Sequence, residues 1–302
     1  MPECTVQPIP AFWEGKMEIV NVSKVSQLSP FRYPGGKTWL VPNFLRWLQS
    51  LSYKPEYLIE PFTGGGIISL SAAYHGLVDK CIMIEKDENV ASVWKTILYG
   101  DWEWLVDQIK SCNLTVETVK AILNAPADSC EQRAFKTIVK NRVCHGGVMA
   151  NGSGFLKYGE NGKGVLSRWY PETLAKRINT IVSMKDRLDF FEGDAFDYIP
   201  SHSSNKNACF FVDPPYTASK KKAGKRLYQY SEVDHDRLAN LLKTVKGEFM
   251  LTYDYDETII DLAEKYGFNY RKIPMKGTHN LIRYELLISN TADSRPPFMM
   301  AR

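Results

Sequence analysis

The residues with the most chemistry between them are Phe210-Phe211-Val212-Asp213-Pro214-Pro215-Tyr216, an apolar run ending in an acid, two prolines and an aromatic ring. Prolines deny the chain a helix or a continued strand. Their missing N–H groups leave backbone carbonyls free, and their fixed φ sets where those carbonyls and the Asp213 carboxylate point. Asp213 and the Pro214 carbonyl then form an acceptor site for an amino group. Tyr216 can cover the face of the flat ring that owns the amine, as is needed once a base has been rotated out of a duplex. A proline turn without chemistry is the alternative for this string taken alone.

Two further strings are suited to holding a nucleoside-bearing ligand. Glu60-Pro61-Phe62-Thr63-Gly64-Gly65-Gly66 sets a carboxylate at the end of an apolar strand, followed by glycines where backbone must turn and approach a ligand closely. Glu85 follows at the end of the next apolar strand, where a carboxylate holds ribose hydroxyls in nucleotide-type folds. A dinucleotide-dehydrogenase pattern fails, because Ser69 stands where its third glycine belongs. Phe31-Arg32-Tyr33-Pro34-Gly35-Gly36-Lys37-Thr38 ends like a phosphate loop, yet that motif requires glycine at Phe31, which disfavours a kinase or ATPase. Here Tyr33 can stack on a flat ring while Lys37 neutralises a carboxylate or phosphate, or the segment is an ordinary turn leading into a helix.

The elements that must position these groups alternate. Leu40, Phe44, Leu48 and Leu51 mark an amphipathic helix from Lys37; a strand at 57–59, a helix at 67–74 stopped by Gly76 and a strand at 81–84 follow. Strands at 188–191, 208–212, 249–252 and 284–289 alternate with helices at 234–244 and 258–266. Such alternation predicts an α/β fold with a mostly parallel, doubly wound sheet. The pattern changes over 96–185, where helical stretches at 102–110 and 116–123 precede a glycine-rich basic stretch at 141–164. The expectation is a discontinuous catalytic domain, 28–95 and 186–290, with 96–185 inserted and tails at 1–27 and 291–302.

The net charge of +4, from 38 Lys+Arg against 34 Asp+Glu, is too mild to indicate a polyanionic partner by itself. Six scattered cysteines include no C-x-x-C pair, so they read as reduced thiols; Cys144-His145 with Cys112 and Cys130 makes a poor zinc set, and no metal is expected. No run approaches the roughly twenty apolar residues of a membrane span. The expectation is a soluble, cytoplasmic protein.

Taken together and in this order, Tyr33-Pro34-Gly35-Gly36-Lys37, Glu60-Pro61-Phe62 with its glycines, and Asp213-Pro214-Pro215-Tyr216 resemble the Dam-type (alpha-class, DPPY) family of adenine-specific DNA methyltransferases. The resemblance runs from about Phe31 to Asn290 and includes Glu192-Gly193-Asp194-Ala195-Phe196 and Tyr284-Glu285-Leu286-Leu287-Ile288. It implies a seven-stranded Rossmann-like sheet, S-adenosylmethionine as methyl donor, and the N6 amine of adenine in double-stranded DNA as acceptor. It implies that Tyr33, Lys37, Glu85 and Asp213 contact the cofactor, with Glu60, Phe62, Gly64 and Gly66 around it. Asp194 would lie near the cofactor's adenine, although family members vary there. Tyr33-Pro34 replaces the tryptophan-alanine pair of some members, and stacking should survive the change.

The insertion falls where the family carries its mainly helical target-recognition domain, and Lys140-Asn141-Arg142 and 157–163 supply polar and cationic groups for groove contacts. Lys220, Lys221, Lys222, Lys225 and Arg226, interleaved with Tyr228 and Tyr230, form either a phosphate clamp over the displaced nucleotide or a solvated loop. Tyr253 is either a second base-facing ring or core. A monomer without an obligate protein partner is expected. The rivals are methylation of cytosine's exocyclic amine, methylation of RNA or a protein amide, and a catalytically silent DNA-binding relative.

Overall fold

The structure is a computed structural model describing residues 19–148, 153–159, 162–216, 232–276 and 282–290. Seven strands, β1 (Tyr57–Glu60), β2 (Lys80–Glu85), β3 (Leu188–Glu192), β4 (Ala208–Val212), β5 (Glu248–Asp254), β6 (Asn269–Lys276) and β7 (Ile282–Ser289), form one sheet of order β3-β2-β1-β4-β5-β7-β6. The first five pair in parallel, and β7 runs antiparallel to both its neighbours. Strands of this kind are covered on both faces, which is why β4 reads as an unbroken apolar run. Its alternation sends Cys209 and Phe211 to one core and Phe210 and Val212 to the other.

On the first side lie α1 (Val41–Ser50), α2 (Ile67–Tyr74), α3 (Glu88–Tyr99), α4 (Trp102–Ser111), α5 (Val116–Asn124), α6 (Cys130–Val143) and α7 (Pro171–Val182). On the second lie α8 (Ala195–His202), α9 (His235–Thr244) and α10 (Glu257–Tyr266). Strand order reverses between β1 and β4, which opens a crevice at their carboxyl ends, the usual ligand position of such sheets.

Departures from the sequence expectations have local causes. α1 starts at Val41 rather than Lys37, because Pro42 occupies its first turn. β6 carries Pro274 among charged residues and escapes a strand pattern; as an edge strand paired with β7 alone it tolerates the proline. α3 runs across the 95/96 boundary expected for the insertion. Its Val90, Val93, Trp94 and Ile97 share one apolar cluster with Leu105, Ile109, Ile138 and Ile178, so the helices of 96–185 extend the core on one side of the sheet. Among the described residues no helix is long and apolar enough to cross a membrane, and no group of three or more His, Cys, Asp or Glu side chains is placed to hold a metal ion.

Candidate active site

A cavity of about 470 Å³ occupies the crevice, and Tyr33, Lys37, Glu60, Phe62, Gly64, Gly66, Glu85, Asp194, Asp213, Pro214, Pro215 and Tyr216 all line it. Residues 180 positions apart in the chain meet there because β1, β2 and β4 are neighbours whose carboxyl ends point the same way.

At the β1–β2 end the acids are held by backbone. α2 begins at Gly66, which has no side chain to cap the helix; Glu60 does so instead, its Oε2 accepting the Ser69 N–H at 3.0 Å. Burial pushes the Glu60 carboxyl up to about 8 despite that bond, with Asp213 and Glu85 adding to the rise. Glu85 Oε2 accepts the Gly64 N–H at 2.8 Å, and its Oε1 accepts those of Lys86 and Asp87, each at 2.9 Å. Burial still raises it to about 7. Gly64, at φ +47°, lies against the Tyr33 ring so closely that a Cβ would come within 2.6 Å of it. Trp94 Nε1 donates to the Gly64 carbonyl at 3.0 Å. Asp194 caps α8 through the Phe196 N–H at 3.0 Å and meets Lys86 Nζ at 2.7 Å. Burial opposes its ionisation, yet the ammonium and the N–H outweigh it and hold the carboxyl below the usual range.

At the β4 end the partners are side chains. Lys37, only 2% exposed, places Nζ 2.8 Å from Asp213 Oδ2, 3.8 Å from Glu285 Oε2 and 2.7 Å from the Gly35 carbonyl. It also sits 4.9 Å from the centre of the Tyr216 ring. The Tyr216 hydroxyl, with one proton to give, lies 2.9 Å from Asp213 Oδ1 and 3.2 Å from Glu285 Oε2, and Thr252 Oγ1 donates to the same Asp213 oxygen at 2.8 Å. Burial, followed by the Asp213 and Glu285 charges, lifts the Tyr216 hydroxyl well above its ordinary range, so it stays a neutral donor.

The Asp213 carboxylate thus stands at the rim of the cavity with three donors on it. The family model of the D12 class N6 adenine-specific DNA methyltransferase matches residues 33–273, which includes every one of these strings except Glu285. The chain belongs to that family. No curated protein matches it. Among solved structures it is similar to a putative RNA methyltransferase from Pyrococcus horikoshii, with TM-score 0.41 and 9% identity over 89% of this chain and 92% of that one. It is also similar to precorrin-6y C5,15-methyltransferase from Geobacter metallireducens, with TM-score 0.36 and 8% identity over 83% and 87%.

This D12-class methyltransferase therefore acts on adenine in DNA, not on cytosine, with S-adenosylmethionine as donor. The cavity fits that cofactor: it offers a cation at Lys37, carboxylates at Glu60, Glu85 and Asp194, and the rings of Tyr33, Phe62 and Phe196. Those are complements for a carboxylate, a cationic centre, a ribose diol and a purine.

On the DNA side one expectation is corrected. Arg142 of the methyltransferase does not face a groove; it is 5% exposed, and its Nη2 donates to the Pro30 carbonyl. Burial, with Arg177, Arg32 and Arg168 nearby, lowers its guanidinium to about 9. Next to it Asn141 accepts the Arg32 N–H at 2.9 Å and donates to the Arg32 carbonyl at 3.2 Å, and Arg177 donates to the Ser29 carbonyl at 2.9 Å. These residues anchor the loop that carries Tyr33 and Lys37. Lys220, Lys221, Lys222, Lys225 and Arg226 lie outside the described residues. Tyr253 is 2% exposed and belongs to the core, its hydroxyl 2.7 Å from His235 Nδ1 and its ring 5.7 Å behind that of Tyr216. Glu285 and Thr252 were given no role in the sequence reading, although Glu285 stood in Tyr284-Glu285-Leu286-Leu287-Ile288, one of the strings that carried the family resemblance.

Proposed function

We propose that Asp213 and the Pro214 carbonyl receive the N6 amine of an adenine rotated out of duplex DNA, and that Tyr216 lies against its ring. The observation that carries this is the Asp213 carboxylate itself: it opens on the cavity from the end of β4, next to Pro214, and is held in place there by Lys37, Tyr216 and Thr252. Two acceptors on one amine draw the nitrogen lone pair out of conjugation with the purine and aim it across the cavity. S-adenosylmethionine, when bound, supplies an activated methyl group, so no nucleophilic cysteine or metal is needed. Glu85 would hold its ribose, Tyr33 and Phe62 its flat or apolar parts, Lys37 its carboxylate, and Glu60 and Asp194 the polar wall, with Gly64 and Gly66 giving room. The helices of 96–185 would read the target, and the lysines and arginine of 220–226 would clamp phosphates. The enzyme would act as a cytoplasmic monomer.

The test is Asp213→Ala with labelled S-adenosylmethionine and unmethylated genomic DNA, followed by digestion to nucleosides and mass spectrometry. Wild type should place label in N6-methyl-2′-deoxyadenosine, while the variant loses turnover by about a thousandfold or more and still binds DNA. A variant that methylates normally removes Asp213 from the chemistry.

A further inference from the structure

We propose that Glu285 is a positioning residue for methyl transfer, the second acceptor to which Lys37 and Tyr216 pass when the target amine takes its place at Asp213. This rests on Asp213 being the amine acceptor.

A carboxylate has about four lone-pair sites, and three donors take three of those of Asp213, leaving one on Oδ2, the oxygen that faces the Lys37 ammonium. With two hydroxyls on one oxygen and an ammonium 2.8 Å from the other, an arriving N–H must share Oδ2 with Lys37 or displace a donor, and it gains a stronger acceptor when one of them yields. Two of the three donors have an alternative within reach. Glu285 Oε2 stands 3.2 Å from the Tyr216 hydroxyl and 3.8 Å from Lys37 Nζ. A shift of about 1 Å therefore moves Lys37 from one acid to the other without exposing it or leaving it unpaired in a buried site.

The sheet explains how Glu285 comes to be there. It faces Asp254 across the β5–β7 ladder and is the first buried residue of β7, 5% exposed and followed by Leu286, Leu287 and Ile288. A buried acid at the head of an apolar strand is costly without a partner. The groups around it are Lys37 from the loop before α1, Asp213 and Tyr216 after β4, and Asp254 on β5; its neighbour on β6 is Ile273. Burial, helped by Asp213 and Asp254 and opposed by Lys37, pushes its carboxyl up to about 7. Glu285 thus competes for Lys37 in full only above that range.

The experiment compares wild type, Glu285→Gln, Glu285→Asp and Asp213→Ala on a duplex carrying a site mapped from methylated genomic DNA. Single-turnover rates are followed from about pH 6 to about pH 9, with cofactor affinity by calorimetry and target-base unstacking by 2-aminopurine fluorescence. Glu285→Gln should bind cofactor and unstack the base as wild type does, yet transfer methyl about 10- to 100-fold more slowly, and should lack the wild-type rise in rate near pH 7. Glu285→Asp, which keeps the charge, should keep the rise at a reduced rate. A Glu285→Gln enzyme with wild-type rate and pH profile overturns the proposal, as does a rate loss matched by loss of cofactor affinity and melting temperature. Asp213→Ala, which removes the acceptor altogether, separates the two claims: if it is active, the amine-acceptor role itself fails, whereas an inactive Asp213→Ala beside an unaffected Glu285→Gln sinks only Glu285.

Discussion

The two ends of the cavity hold their acids in opposite ways. At the β1–β2 end Glu60 and Glu85 accept from main-chain N–H groups of Ser69, Gly64, Lys86 and Asp87, atoms that cannot move without moving the fold. At the β4 end Asp213 and Glu285 share the side chains of Lys37 and Tyr216, which can move by rotamer alone. Backbone-held acids suit a cofactor whose shape is the same in every turnover. Exchangeable partners suit a substrate amine that must displace something on arrival and release it on departure. The contrast is between a cradle and a contested acceptor.

The sharpest way to break that contrast is to take a titrating acid out of the cradle. Glu60 has a carboxyl near 4.5 when unfolded and about 8 when folded, so the folded state binds the extra proton between those values. Its stabilising contribution is complete below about pH 4.5 and is lost as pH rises toward 8, at up to about 1.4 kcal/mol for each pH unit of that window. Gln reproduces the neutral acid and still accepts from Ser69. Glu60→Gln should therefore flatten the fall in chemical-denaturation stability between about pH 5 and pH 8 and leave the variant more stable than wild type at the upper end. An unchanged slope would mean that Glu60 is charged in the folded protein.

A smaller effect is expected from the glycine that opens α2. Gly66 has φ +61°, and a Cβ there would lie 2.8 Å from Met83 Cε and 2.9 Å from Trp94 Cζ2, the indole that ties down Gly64. The methionine can swing away, whereas the indole is fixed by its bond and by complete burial. Gly66→Val should cost about 2–3 kcal/mol and weaken S-adenosylmethionine binding, read by denaturant midpoint and calorimetry. If the fold is weakened but cofactor affinity is wild-type, the glycine loop serves packing alone.

Much of this site was legible before any coordinates because the chemistry sits where parallel strands end. A strand covered on both faces must be apolar throughout, so a polar residue after one, such as Asp213, Glu60 or Glu85, stands out. The same rule hid the role of Glu285, since an acid that follows the exposed Ile282, Arg283 and Tyr284 resembles a surface residue until β7 is seen between β5 and β6. Arg142 was misplaced because cations default to the surface, and nothing in Lys140-Asn141-Arg142 tells that α6 turns the last of them toward the carbonyl of Pro30. β6 was missed through Pro274, which only an edge position permits.

The finest probe of the contested end is Thr252, because it holds Asp213 without any access to Glu285. Its hydroxyl donates to Asp213 Oδ1 at 2.8 Å and lies 3.5 Å from the Val212 carbonyl, and the side chain is fully buried. If Thr252 orients the carboxylate, Thr252→Val should lower the single-turnover rate about three- to tenfold and cost about 1 kcal/mol of stability, with the dependence on pH untouched. Should its hydroxyl instead compete with the target amine as Lys37 and Tyr216 do, the same substitution would raise the rate. The sign of the change thus tells whether all three donors at Asp213 give way to substrate or only the two that Glu285 can receive.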